Sequence, residues 1–267
     1  MSKIEGAIRE ISTIDSEASA DNPINRLHPL TKLLVTFAYI MVVVSFDNSD
    51  VSGLLSMLLY PIVIFTVAQL KVRMCVKRIW IILLPVCLVG IANPFFDKKT
   101  VAYIGSFAVT GGMVSMFTLM IKGILTVTAA YILIITTKIE AVCQALRMLC
   151  VPGTFVTVIL LIYRYVTLFL QEVNRMTQAY ALRAPGQKGI NYRAWGALVG
   201  QLLLRAMDRA SLVYESMCLR GFSGEFLYGG RDKMRRVDFV YLILWLLVII
   251  LLRTVHIFEL VGSVFVG

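Results

Sequence analysis

Long runs of apolar residues separated by short charged turns constrain this chain more than any other feature. The first extends from Leu33 to Phe46 and ends at Asp47-Asn48-Ser49-Asp50. Counted from Pro29 it gives about 18 residues, close to the roughly 20 that an α-helix needs to cross the hydrocarbon core of a bilayer. A second covers Val51 to Leu70 and is closed by Lys71, Arg73, Lys77 and Arg78, and a third, Ile79 to Phe96, precedes Asp97-Lys98-Lys99. The fourth runs from about Phe107 to Thr137, interrupted by Gly111-Gly112 and by Lys122, and the last from Phe239 to Leu252. With 58% hydrophobic and 16% charged residues, the chain carries more apolar surface than a soluble domain of its length can hide. The prediction is an all-α, polytopic membrane protein with about five transmembrane helices.

One further apolar stretch, Gly153 to Leu170, decides the topology. If it crossed, residues 171–236 would lie outside with eleven of the 26 Lys and Arg, against the tendency of basic residues to stay in the cytoplasm. It also carries Arg164 near its centre, which is costly against lipid. The expectation is a helix that packs on the membrane domain without crossing it. Residues 138–237 hold 14 basic and 6 acidic residues, a net of +8, so this segment is placed in the cytoplasm. The organisation read from the sequence is a cytoplasmic N-terminal segment (1–28), transmembrane helices 1–4 (29–137), a cytoplasmic module of long amphipathic helices (138–237), and a last transmembrane helix with the C-terminus outside (238–267). The first 29 residues do not resemble a cleavable signal peptide. The overall +10 charge reports cytoplasmic loops here, and no nucleic-acid partner is expected.

The cytoplasmic module reads as a helical hairpin. Pro152 can open a helix, because its missing amide would be an orphan there anyway. Between Gly153 and Arg183 there is no proline and no further glycine, and Pro185-Gly186 then stops the run. Apolar positions recur three or four apart from Val156 to Tyr180, as on an amphipathic helix of about 45 Å. A second helix is expected from about Tyr192 to Arg220, with Asn191 as its N-cap and Gly221 as its stop. Gly196 and Gly200 form a G-x-x-x-G that would let the two helices cross closely, or are two incidental glycines.

The two helices end alike. Ala181-Leu182-Arg183 precedes one terminator and Cys218-Leu219-Arg220-Gly221 the other. A single Arg there would only complement the helix dipole, worth about 0.3–1 kcal/mol. A matched pair at consecutive helix ends points to two guanidinium groups presented to something acidic, since the planar fork grips a carboxylate with two hydrogen bonds.

These motifs, together with Asn25-Arg26-Leu27-His28-Pro29-Leu30-Thr31-Lys32-Leu33-Leu34, Leu146-Arg147-Met148-Leu149-Cys150-Val151-Pro152 and Tyr163-Arg164-Tyr165, resemble the T component of energy-coupling factor (ECF) importers, a branch of the ATP-binding cassette (ABC) group. Met217 to Gly224 is the most specific piece. Ala184 stands where that family usually has Gly, and Cys218-Leu219 replaces the Ala before the second Arg. The His28-Pro29 start, with Ile14-Asp15 ahead of it, is more similar to the CbiQ-like cobalt or nickel type than to the shared vitamin type. The resemblance implies a scaffold in a prokaryotic cell membrane, with two ABC-type ATPase subunits and a small substrate-binding (S or CbiM-like) membrane component as partners. It implies that Ala181, Leu182, Arg183, Cys218, Leu219, Arg220 and Gly221 are the ATPase-coupling residues.

The chain has no G-x-x-x-x-G-K-[ST], so it is not expected to hydrolyse ATP; ATP and magnesium would be bound by the partner ATPase subunits, and this chain is expected to need no cofactor. Cys75, Cys87, Cys143, Cys150 and Cys218 are scattered without metal-ligand spacing and are expected to be reduced and mostly buried. A polytopic membrane enzyme would need clustered carboxylates or histidines near the surface. The acids are scattered instead, and Asp208 and Glu215 read as intrahelical partners of Arg205, Arg209 and Arg220. A stand-alone carrier or channel draws its best support from Lys122 inside the fourth run, which otherwise snorkels or faces the scaffold interior.

Overall fold

Apolar patterning is realised as helices almost throughout the computed structural model, which describes residues 3–19, 22–47, 50–69, 85, 100–104, 107–187, 189–224 and 234–254. The elements are α1 (Lys3–Ala18), α2 (Pro29–Val44), α3 (Val51–Ser56), α4 (Leu59–Val67), β1 (Thr100–Ile104), β2 (Phe107–Thr110), α5 (Gly111–Thr136), α6 (Ile139–Met148), α7 (Gly153–Arg183), α8 (Tyr192–Leu219) and α9 (Arg236–Thr254). By length and apolar composition α5, α7 and α9 can each cross a membrane, and Pro29–Val44 and Val51–Val67 are shorter apolar helices. The third run, Ile79 to Phe96, lies outside the described residues except for Pro85, and Cys75 and Cys87 lie outside them too.

The chain divides into two compact units. One comprises Ala18–Lys138 and Asp232–Gly267, the other Met1–Glu17 and Ile139–Arg231. In the first, α2 packs against α5 and α9, and α3 and α4 against α5. Its core is built around Val35, Tyr39, Val43, Leu54, Tyr60, Leu125, Ile132, Trp245 and Ile249. Tyr39 stacks on Tyr60 with ring centroids 4.5 Å apart, and Tyr60 meets Trp245 edge-on at 4.8 Å.

The expected continuous second span is broken between α3 and α4. Pro61 has no amide to donate to the carbonyl four residues earlier, so the Met57 carbonyl loses its regular helical partner and keeps only a long bond from the Tyr60 amide, at 3.4 Å. The Tyr39 hydroxyl supplies a shorter one from α2, at 2.9 Å. A chain that cannot turn to water inside a bilayer needs such a replacement. The fourth run also differs from its expected form. Its first residues pair as β2 with β1 in an antiparallel two-stranded hairpin, Tyr103 facing Ala108, and the helix begins at Gly111.

The ends of α2 and α9 are tied by charge. Asp238, only 4% exposed, accepts from the Arg235 amide (2.7 Å) as an acid reaching back over its own helix start, and from the His28 amide (2.9 Å). His28 Nδ1 accepts from the Leu30 amide, capping α2, and Lys32 Nζ donates to the Thr136 carbonyl at 2.7 Å. Lys122, the carrier candidate, donates to the Phe46 carbonyl beyond the end of α2, at 2.6 Å. It therefore ties α5 to that turn.

Candidate functional site: two arginine-bearing helix ends

The second unit presents the site. α6 and α8 both pack against α7. The ends of α7 and α8 fall where proline, asparagine and glycine put them. Pro152 precedes α7 by one residue, and the Asn191 side chain accepts from the Arg193 amide at the start of α8.

α7 and α8 run antiparallel. Glu172 of α7 accepts from Arg205 of α8, Arg209 lies over the Tyr165 ring at 5.8 Å, and Leu161 lines one recess with Val213 and Met217. The connecting turn is held by Tyr180, whose hydroxyl donates to Gln187 Oε1 and accepts from the Asn191 amide. This corrects two expectations. Arg205 reaches across to the neighbouring helix instead of along its own to Asp208. Gly196 and Gly200 are not where the helices meet: a Cβ at either would encounter nothing within 4 Å. The contacts sit further along α8, where Ala206 and Ala210 supply the small side chains beside an apolar groove of about 770 Å3.

The two helix ends terminate by different backbone devices. At α8 the Gly221 amide donates to the Cys218 carbonyl and the Phe222 amide to the Met217 carbonyl, both at 3.0 Å. Gly221 takes the left-handed conformation this requires, with φ 82°. At α7, Ala184 begins a β-turn with Pro185 and Gly186 at its centre. The Gln187 amide closes it on the Ala184 carbonyl at 3.3 Å, and Gly186 has φ 90°. The Ala184 departure from the family pattern thus shifts the positive-φ residue two places on, and Arg183 remains the last helical residue. A third end repeats the first device. α6 closes with the Val151 amide on the Leu146 carbonyl and the Cys150 amide on the Arg147 carbonyl, and Cys150, not glycine, takes φ 63°.

Both signature ends point into open space. Leu182 is 83% exposed and Leu219 90%, and Ala181, Arg183, Cys218, Arg220 and Gly221 are exposed beside them. Scattered exposed leucines are common on any protein, but a nearly bare Leu directly before an exposed Arg at each of two helix ends is a repeated arrangement. Arg220 lines a recess with Leu161 and Arg164, whereas Arg183 lies 22 residues further along α7. At 1.5 Å per residue the two are separated by about 30 Å along the hairpin. Among the described cysteines Cys143 is buried as expected, whereas Cys150 and Cys218 are exposed. Among the described residues no group of three or more His, Cys, Asp or Glu is placed to hold a metal ion.

The family model for the CbiQ cobalt transport protein matches residues 20–228, spanning α2 to α8. The chain belongs to the CbiQ cobalt transport family. It is thus a membrane transport component, and its apolar helices make it an α-helical, multi-pass one. A curated relative, the uncharacterized protein MJ1571 of Methanocaldococcus jannaschii, is 26% identical over 143 residues, 53% of this chain and 49% of the relative. The chain therefore spans about half the length of that relative. The CbiQ family is one of transport proteins rather than enzymes. Asp238 and the Met57 carbonyl are features that periodicity overlooks. The signal for the first was an acid two places after Arg236, and for the second a proline inside an apolar run.

Proposed function

We propose that this chain is the transmembrane energy-coupling scaffold of an ECF-type ABC importer for cobalt or nickel ions. In this reading Arg183 and Arg220 dock on two ABC-type ATPase subunits, identical or different, and a small substrate-binding membrane component completes the complex. ATP and magnesium belong to the ATPases. The observation that carries the reading is the pair of Leu-Arg ends, bare to solvent at opposite ends of an antiparallel hairpin. Exposed leucine offers an anchor for a groove on the partner, and the arginine beside it a fork for a carboxylate or a helix-terminal carbonyl. A separation of about 30 Å, derived from the helical rise, favours two partner sites over one.

The net charge of +8 over residues 138–237 supports a cytoplasmic location for the hairpin, where ATP is available. In that arrangement α7, whose apolar half leaves Phe155, Val158 and Ile162 exposed in its unit, does not cross the bilayer. Closure of the ATPases moves the two helix ends, and the long helices carry that motion to the substrate component.

The test is co-purification. Arg220→Glu is expected to abolish recovery of the ATPase subunits in mild detergent, or to lower metal uptake severely, while the chain itself stays in the membrane. Full assembly together with normal uptake by that variant would sink the proposal.

A further inference from the structure

Residues 1–28 carry no long apolar run, yet residues 3–18 form α1, a helix of 16 residues. Its partly buried positions include Ile4, Ala7, Ile8, Ile11, Ile14 and Asp15, three or four apart on one face. At the end of that stripe the Tyr163 hydroxyl of α7 donates to Asp15 Oδ1 at 2.5 Å, across 148 residues of sequence. Glu140, in the first turn of α6, lies within electrostatic range of the same phenol. Three helices thus converge on Tyr163. A phenol donating to a carboxylate makes a short, strong, directional bond. An apolar stripe can slide or rotate with little penalty, but α1 cannot do so without stripping a partly buried acid of this donor.

The stretch of chain beyond Asp15 gives the bond its meaning. Three residues on, α1 ends at Ala18, the first residue of the membrane unit, which is buried and whose carbonyl accepts from the Asn25 side chain. Ile24 belongs to the apolar core of that unit, and the His28 amide is held by Asp238. Thirteen residues of chain therefore lead from the grip on α7 to the start of α2, and the first of them are one turn of a continuous helix. A second covalent route out of the membrane unit, α5 into α6 through Thr137-Lys138, reaches α7 by way of α6.

We propose that α1 is a drive link, locked to the coupling helix α7 by the Asp15–Tyr163 hydrogen bond, through which displacement of α7 is delivered to the start of the first membrane helix. This deepens the coupling reading and rests on it. Asp15 and Tyr163 are positioning residues: they touch neither nucleotide nor transported ion. A helix gripped by a directional bond follows a shift of α7, whereas one seated by apolar contact alone lets the shift dissipate as sliding.

The experiment uses the full chain assembled with its ATPase and substrate-binding partners. An environment-sensitive fluorophore is attached at Pro23→Cys, a solvent-exposed position between α1 and α2, in a background with the natural cysteines replaced. Addition of ATP and magnesium is expected to shift its emission. Asp15→Ala and Tyr163→Phe are each expected to reduce that shift at least fivefold while the ATPase subunits still co-purify and hydrolyse ATP. Asp15→Asn, which keeps an acceptor for the phenol, should retain most of it. The double variant should be no worse than the worse single one, because both remove the same bond.

An unchanged shift in both single variants overturns the inference, as does an absent shift in the parent complex. Loss of the ATPases from either variant also overturns it, since the pair would then serve assembly. Arg220→Glu in parallel separates the two levels. If that variant keeps its ATPases and its shift, the coupling reading itself fails. If it loses them while the Asp15 and Tyr163 variants behave as the parent, only the drive link fails.

Discussion

Gly221 and Cys150 occupy the same place in the same helix-ending motif, one with a residue type suited to it and one without. Left-handed backbone costs a residue with a Cβ about 1–2 kcal/mol relative to the right-handed form. Gly221→Ala should therefore destabilise the end of α8 by roughly that amount and let Arg220 wander, weakening ATPase recovery although no contacting side chain has changed. Cys150→Gly should act in the opposite sense, raising the unfolding temperature of the detergent-solubilised chain. The cysteines themselves offer a second check. Burial, and then the charge of Glu140, push the Cys143 thiol above its ordinary range, whereas Cys150 and Cys218 stand in solvent. Brief treatment with a thiol reagent at mildly alkaline pH should label Cys150 and Cys218 and leave Cys143 unmodified, as read by peptide mass spectrometry.

At the scale of elements, the α3–α4 break and the α2–α9 tie are each held by a single polar side chain. Tyr39→Phe removes the best donor to the Met57 carbonyl and should destabilise the membrane unit by about 1–3 kcal/mol. Pro61→Ala restores an amide in the helix, so in the Tyr39→Phe background it should recover much of the loss; simple additivity of the two changes in thermal unfolding would contradict the account. Asp238→Ala strands the His28 and Arg235 amides together and should cost at least as much. How much of these elements the sequence discloses depends on where the information sits. α7 and α8 are legible to within a residue because Pro152, Asn191, Pro185 and Gly221 act through local backbone rules. The break at Met57 is not, because Pro61 alone does not say whether a helix kinks or stops, and the Tyr39 hydroxyl that settles it comes from another helix. α1 escapes notice because its isoleucines are diluted among Glu, Arg and Ser. Gly196 and Gly200 misdirect for the converse reason: small residues permit a close approach but do not cause one.

Taken whole, the molecule pairs an apolar unit that packs its aromatic core with a basic unit that leaves its signature outside. The Leu-Arg repetition is visible in the sequence, but its geometry is not, since two similar helix ends could equally lie side by side. The antiparallel run of α7 and α8, fixed by Glu172 with Arg205 and Tyr165 with Arg209, is what sets them apart. The proposed topology is checkable on intact cells. A single cysteine placed at Lys188 should resist a membrane-impermeant maleimide until the cells are opened, and one placed at Phe265 should react from outside.

α8 contains no buried residue along its 28 positions, and Trp195, Val199, Leu203, Leu204 and Met207 all face solvent in the isolated chain. Such a helix advertises itself to the cell's surveillance machinery. Chaperones and membrane proteases recognise exposed apolar stretches, so a copy made without its companions is marked for removal. Steady-state abundance should then track the supply of partners instead of the rate of synthesis, and overproduction of this chain alone should yield a short-lived product.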